Sequence, residues 1–133
     1  MAATDNAAEQ VAHIAEKIRA GKTTLGIEFG STRIKAVLID DNFQTIASGD
    51  YSWASHLEDG LWSYTTEEIW GGLQSAYASM ANDVETAYGE KLTHVGHIGF
   101  SAMMHGYLAF DEAGELLAPF RTCLLYTSPS PQT

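Results

Sequence analysis

Apolar residues change their spacing several times along the chain, and each change marks an element. Over residues 5–20 Val11, Ile14 and Ile18 recur at intervals of three and four, which predicts a helix capped by Thr4 or Asp5 and stopped at Gly21. Residues 23–29, 33–39 and about 44–53 then read as strands rich in β-branched and aliphatic side chains. Gly30-Ser31-Thr32 and Asp40-Asp41-Asn42 separate them as turns, so an antiparallel meander is expected. A loop containing Gly60 leads into a long helix, where Thr65 and Glu68 form a capping box and Gly89 supplies the C-cap. Ile69, Leu73, Ala76, Met80, Val84 and Tyr88 share one face of it. Gly71 and Gly72 each weaken that helix by about 1 kcal/mol relative to alanine, which points to close packing there. Residues 93–101 read as a buried strand, 107–110 as another and 116–122 as a return strand. The order β-β-β-α-β-β predicts an α/β fold: a mixed sheet with helices packed on it, preceded by an extra N-terminal helix.

Composition narrows the classes of partner. The 133 residues carry 17 acidic side chains against 7 Lys and Arg, a formal net charge of -10. Nucleic acid and anionic membrane surfaces would be repelled, so neither is an expected partner. No apolar run approaches the roughly 20 residues of a membrane span, and Asp5 and Glu9 stand where a secretory signal would be basic. A cytoplasmic protein is expected. The single cysteine, Cys123, excludes an intramolecular disulfide framework, and the spacing of His13, His56, His94 and His97 names no metal site or triad.

Candidate chemistry concentrates in residues 25–40, LGIEFGSTRIKAVLID. A strand enters a glycine turn with two hydroxyl residues, and the returning strand brings a lysine. Glycine lets a backbone approach a phosphate closely; successive N–H groups and the Ser31 and Thr32 hydroxyls can surround its oxygens, with Lys35 adding positive charge. Glu28 can hold a magnesium ion through water. The same residues also fit an ordinary hairpin turn with an exposed strand carboxylate.

This stretch resembles the first phosphate motif of the actin, Hsp70 and sugar-kinase superfamily, and in particular that of the FGGY carbohydrate kinases. Their pattern is Gly-Ile-Asp-x-Gly-Thr, then Lys or Arg four positions on, then Asp closing the second strand. Gly26, Ile27, Gly30, Lys35 and Asp40 match, Ser31 is a conservative replacement, and Glu28 is one methylene longer than the family aspartate. Gly60-Leu61-Trp62 with Glu68-Ile69-Trp70 resembles the family's paired tryptophans around an acidic helix start, where Trp62 and Trp70 are expected to pack in the core and at the helix cap. Residues 98–111, IGFSAMMHGYLAFD, resemble the xylulokinase-type segment Ile-Ser-Gly-Gln-Met-His-Gly, with Met103 in place of Gln.

The resemblance implies a ribonuclease H-like, actin-type ATPase lobe, truncated, with residues 1–22 a helical extension and 23–122 an incomplete N-terminal lobe. It implies ATP and Mg2+ as cofactors, with phosphate bound by Gly30, Ser31, Thr32 and Lys35 and metal assisted by Glu28. A pentulose or similar small-molecule sugar would meet Met104 and His105, backed by Gly106. The catalytic base would lie beyond residue 133, so the chain alone is expected to be inactive and, with an uncovered apolar surface, aggregation-prone. The full-length parent could form a homo-oligomer. A non-catalytic sugar-sensing relative is the alternative that Glu28 and Met103 motivate. Residues 123–133, CLLYTSPSPQT, carry no charge and resemble translated sequencing-adapter read-through, so native sequence is expected to end at Thr122.

Overall fold

The computed structural model describes residues 2–58, 60–104, 106–118 and 120–121. Helix α1 (Ala2–Arg19) precedes a meander of β1 (Thr23–Phe29), β2 (Arg33–Asp40) and β3 (Thr45–Ser52). A short hairpin, β4 (His56–Glu58) and β5 (Leu61–Tyr64), leads into helix α2 (Thr66–Tyr88), followed by β6 (His97–Ala102) and β7 (Phe120–Arg121). The main sheet has the order β3-β2-β1-β6, and β4, β5 and β7 form a second, smaller sheet. The meander pairs are antiparallel, whereas β6 returns through α2 to lie parallel to β1, so the sheet is mixed as the sequence predicts.

Alternation in β1 and β2 decides which side faces the core. Leu25 and Ile27 of β1, and Ile34, Ala36 and Leu38 of β2, are buried against Ala76, Met80 and Val84 of α2. The capping box forms as expected: the Glu68 N–H donates to Thr65 Oγ1 at 3.1 Å, and Gly89 closes the helix in the left-handed conformation. Helix α2 lies so close to β3 that a Cβ on Gly49 would stand 2.3 Å from the Met80 nitrogen and 2.6 Å from the Ala76 oxygen. Gly72 meets the sheet in the same way, 2.7 Å from Ile34 Cδ1 and Tyr51 Cδ1, while a Cβ on Gly71 would meet nothing within 4 Å. Close packing therefore explains Gly72 and not Gly71.

The N-terminal helix is tied down by charge. Lys17 Nζ lies 2.8 Å from Asp41 Oδ1 and 3.3 Å from Asp40 Oδ2. Asp40 also caps the β2–β3 turn, its Oδ1 accepting from the Asn42 and Gln44 N–H groups at 2.9 Å each. Burial works to raise the Asp40 pKa, but those two N–H groups and the Lys17 ammonium together bring it below the ordinary value of 3.8. Asp41 is lowered chiefly by its hydrogen bond to Lys17, and that same bond raises Lys17 above 10.5.

Four expectations are corrected. The stretch predicted as a buried strand over 93–101 is β6, and all six of its residues are exposed. It is an edge strand with β1 as its neighbour, so Ile98 and Phe100 lack cover from the described residues. Residues 107–110 form no strand: Phe110 makes a single bridge to Leu116, and the return strand shrinks to β7, which joins β5 instead of the main sheet. The loop at Gly60 is the β4–β5 turn, where Gly60 has a φ of 79°.

Two measurements follow from this packing. Gly71→Ala should stabilise the chain by about 1 kcal/mol, through helix propensity alone. Gly49→Ala should destabilise it by about 3 kcal/mol, because helix backbone has to move. Equal effects in urea unfolding would contradict the contact between α2 and β3. Depressed carboxylates stabilise the fold above their unfolded pKa, and that contribution is lost as pH falls through the folded value; a raised lysine contributes below its unfolded pKa and is lost as pH rises through its folded one. Melting temperature should hence fall below pH 3.8 and above pH 10.5. Asp40→Asn should flatten the acid limb, and an unchanged limb would show that Asp40 does not carry it.

Candidate functional site

The β1–β2 turn is closed by the Gly30 N–H donating to the Arg33 carbonyl at 2.9 Å. Glycine is needed at residue 30 for space, since a Cβ there would lie 3.0 Å from that same carbonyl. The Glu28 carboxylate is next to it, with Oε1 3.6 Å from the same point, so the acid borders the turn. All three turn carbonyls accept hydrogen bonds from aromatic residues downstream. The Trp53 indole Nε1 donates to Gly30 O at 2.8 Å, the Trp53 backbone N–H to Thr32 O at 3.0 Å, and the Tyr64 hydroxyl to Ser31 O. Ser31 and Thr32 are exposed, and their N–H and hydroxyl groups have no partner among the described residues.

Trp53 and Tyr64 stack with centroids 4.2 Å apart, and Phe120 tilts against Tyr64 at 5.8 Å. Burial, helped by the negative charge of Glu68, pushes the Tyr64 pKa above its ordinary 10.0, so the phenol stays a donor at neutral pH. The sequence reading did not single out Trp53, Tyr64 or Phe120. Sheet register brings Trp53 to the turn: Arg33 opposes Ser52, so the next residue of the chain reaches Thr32. A bulge at Leu38/Ile39 shifts that register by one residue, so counting back from the turn would have missed it.

Glu28 and Lys35 lie opposite each other across β1 and β2, and Ser101 opposes Glu28 from β6. These three side chains line a shallow depression with Gly26, Gly99 and Phe100. Neither Glu28 nor Lys35 is ion-paired among the described residues, so both charges are open to a ligand. Among those residues no group of three metal-ligating side chains occurs. One carboxylate bordering the turn still fits the donor set of Mg2+, which keeps several waters and takes one or two carboxylates plus phosphate oxygens.

The second candidate segment arrives by sheet register. Because β6 runs parallel to β1 with Ala102 opposite Phe29, the residues after each strand emerge side by side at one end of the sheet. Ligand sites of open α/β sheets lie at such carboxyl ends. The Gly106 N–H donates to Met103 O at 3.3 Å, and a Cβ on Gly106 would stand 2.5 Å from the Phe120 ring. Beside the segment lies a cavity of about 310 Å³, walled by Phe29, Trp53, Trp70, Met103, Tyr107 and Phe120 among others, with none of Gly30, Ser31 and Thr32 in its lining. Met104 is 87% exposed and is not among the cavity's lining residues, and His105 lies outside the described residues. Trp70, expected at a core or cap position, is 62% exposed and lines the cavity instead.

Comparison with known proteins bears on the family and the fold. The N-terminal domain of the FGGY family of carbohydrate kinases matches residues 23–127. Among solved structures, a xyloylose kinase from Brucella ovis superimposes with a TM-score of 0.62 at 20% identity, over 74% of this chain and 20% of its own. A gluconate kinase from Lactobacillus acidophilus gives 0.61 at 21% identity, over 75% and 19%. A Plasmodium falciparum glycerol kinase with ADP gives 0.58 at 19%, over 74% and 20%. The chain thus spans about a fifth of the length of these proteins, and no curated protein matches its sequence significantly. The mixed sheet carrying this turn is the actin-like fold of those kinases, and with the family match running through most of its residues the chain belongs to the FGGY family of carbohydrate kinases.

Proposed function

We propose that the chain is the phosphate-facing and sugar-facing part of an ATP-dependent carbohydrate kinase that phosphorylates a hydroxyl of a pentulose or similar sugar. The observation that carries this reading is the register of β6 on β1, with Ala102 opposite Phe29, which brings the glycine turn and the segment after β6 to one end of the sheet. Ser31 and Thr32 offer N–H and hydroxyl groups without partners among the described residues to ATP phosphate oxygens, Gly30 lets the backbone come close to them, and Lys35 supplies charge from the adjacent strand. Glu28 assists Mg2+, which supplies charge neutralisation on the phosphates when bound. Met104 and His105, the residues that the family resemblance assigns to the sugar, come next in the chain after β6 and Met103. Aromatic rings such as those of Trp53 and Trp70 suit the apolar face of a sugar ring. No described helix is long and apolar enough to cross a membrane, which agrees with a cytoplasmic enzyme.

Phosphoryl transfer needs both sides of a cleft to position its reactants. The chain alone is therefore inactive in this reading, and the base that takes the sugar proton belongs to another part of the parent kinase. In a protein carrying this lobe and its partner lobe, ketopentoses or polyols should accelerate release of ADP from ATP, with a sugar phosphate formed in equal amount. Lys35→Met should lower kcat/KM for ATP by about tenfold or more. ATP turnover that no ketose or polyol accelerates would contradict the reading. Sugar binding without a phosphorylated product would favour a non-catalytic sugar sensor.

A further inference from the structure

Peptide units are planar and trans, so the C=O of one residue and the N–H of the next point in opposite directions. The three anchored carbonyls of the β1–β2 turn are consecutive: Gly30 and Thr32 held by Trp53, Ser31 by Tyr64. Drawing the Gly30 carbonyl toward the Trp53 indole turns the Ser31 N–H away from it. Drawing the Ser31 carbonyl toward Tyr64 does the same for the Thr32 N–H. These two N–H groups are the ones without partners among the described residues. The turn's own hydrogen bond, from the Gly30 N–H to the Arg33 carbonyl, closes its ends but leaves the Gly30–Ser31 and Ser31–Thr32 peptide groups unfixed, so without the anchors these would sample other orientations.

We infer that Trp53 is a positioning residue for phosphate binding: its indole N–H and backbone N–H hold the turn carbonyls so that the Ser31 and Thr32 N–H groups converge on the ligand. The inference rests on the proposal that this turn binds phosphate. Tyr64 is its partner in the same task, held in place by the stack on Trp53 and by Phe120. Both donors are suited to it. The indole N–H cannot accept, and the raised Tyr64 pKa keeps the phenol protonated.

Amide and indole 1H–15N spectra of the full chain, titrated with magnesium ADP, test this. The wild type should show shifts at Ser31 and Thr32, and solvent exchange of the Trp53 indole N–H should slow as ADP binds, because ligand that needs the anchored turn opposes its opening. Trp53→Phe keeps a ring but lacks the donor, and should weaken ADP binding by about tenfold while far-UV circular dichroism stays that of the wild type. A folded Trp53→Phe chain that binds ADP as tightly as the wild type would overturn the inference while leaving phosphate binding intact. Absence of any response at Ser31 and Thr32 in the wild type would overturn the phosphate reading, and the inference with it. Should Trp53→Phe not fold, indole exchange in the wild type decides: unchanged exchange on saturation with ADP rejects the positioning role.

Discussion

The parallel pairing of β1 with β6 is the constraint on which the candidate site depends. Parallel neighbours cannot be joined by a tight turn, so the chain has to cross the sheet between them, and α2 makes that crossing. Its face of Ala76, Met80 and Val84 covers Ile34, Ala36 and Leu38, and the near-contact at Gly49 fixes how low the helix lies. Sheet register then does the rest. With Ala102 opposite Phe29, the glycine turn and the segment that begins at Met103 leave the sheet together, and a cavity walled by Phe29, Trp53 and Met103 opens beside that segment. A slip of one residue would turn every side chain of β6 to the other face and separate Ser101 from Glu28.

A second layer holds the turn from behind. Trp53 follows β3, Tyr64 ends β5, and Phe120 begins β7, so three elements of two sheets converge on one small aromatic cluster. The minor sheet looks peripheral by size, but its Tyr64 donates to the Ser31 carbonyl and stacks on Trp53, which holds the other two carbonyls of the turn. Glu28 and Lys35 need no such support, because strand pairing alone puts them on one face beside the turn.

Local signals made much of this legible in the sequence. The capping box at Thr65, the left-handed cap at Gly89 and the meander turns are short-range chemistry, and each formed where the pattern predicts. The glycine and hydroxyl turn was readable for the same reason. What escaped depends on distant neighbours. An apolar strand reads as buried whether or not anything covers it, and β6 is exposed because the described residues place nothing over Ile98 and Phe100. The β4–β5 hairpin is too short for periodicity, although the Asp-Gly pair at 59–60 is a hairpin signal. Trp53 and Tyr64 lie 23 and 33 residues from the carbonyls they hold, and a bulge hides the register that brings the first of them there. Only Ile46 and Ala47, adjacent and both buried, hint at that bulge.

The register of β6 on β1 is therefore the quantity to measure, by backbone NOEs in the isotopically labelled chain. The account predicts contacts of a parallel pair linking Ile27 with Phe100 and Phe29 with Ala102. Contacts displaced by one residue, or none between these strands, would part the glycine turn from the Met103–Gly106 segment and contradict the site built on them.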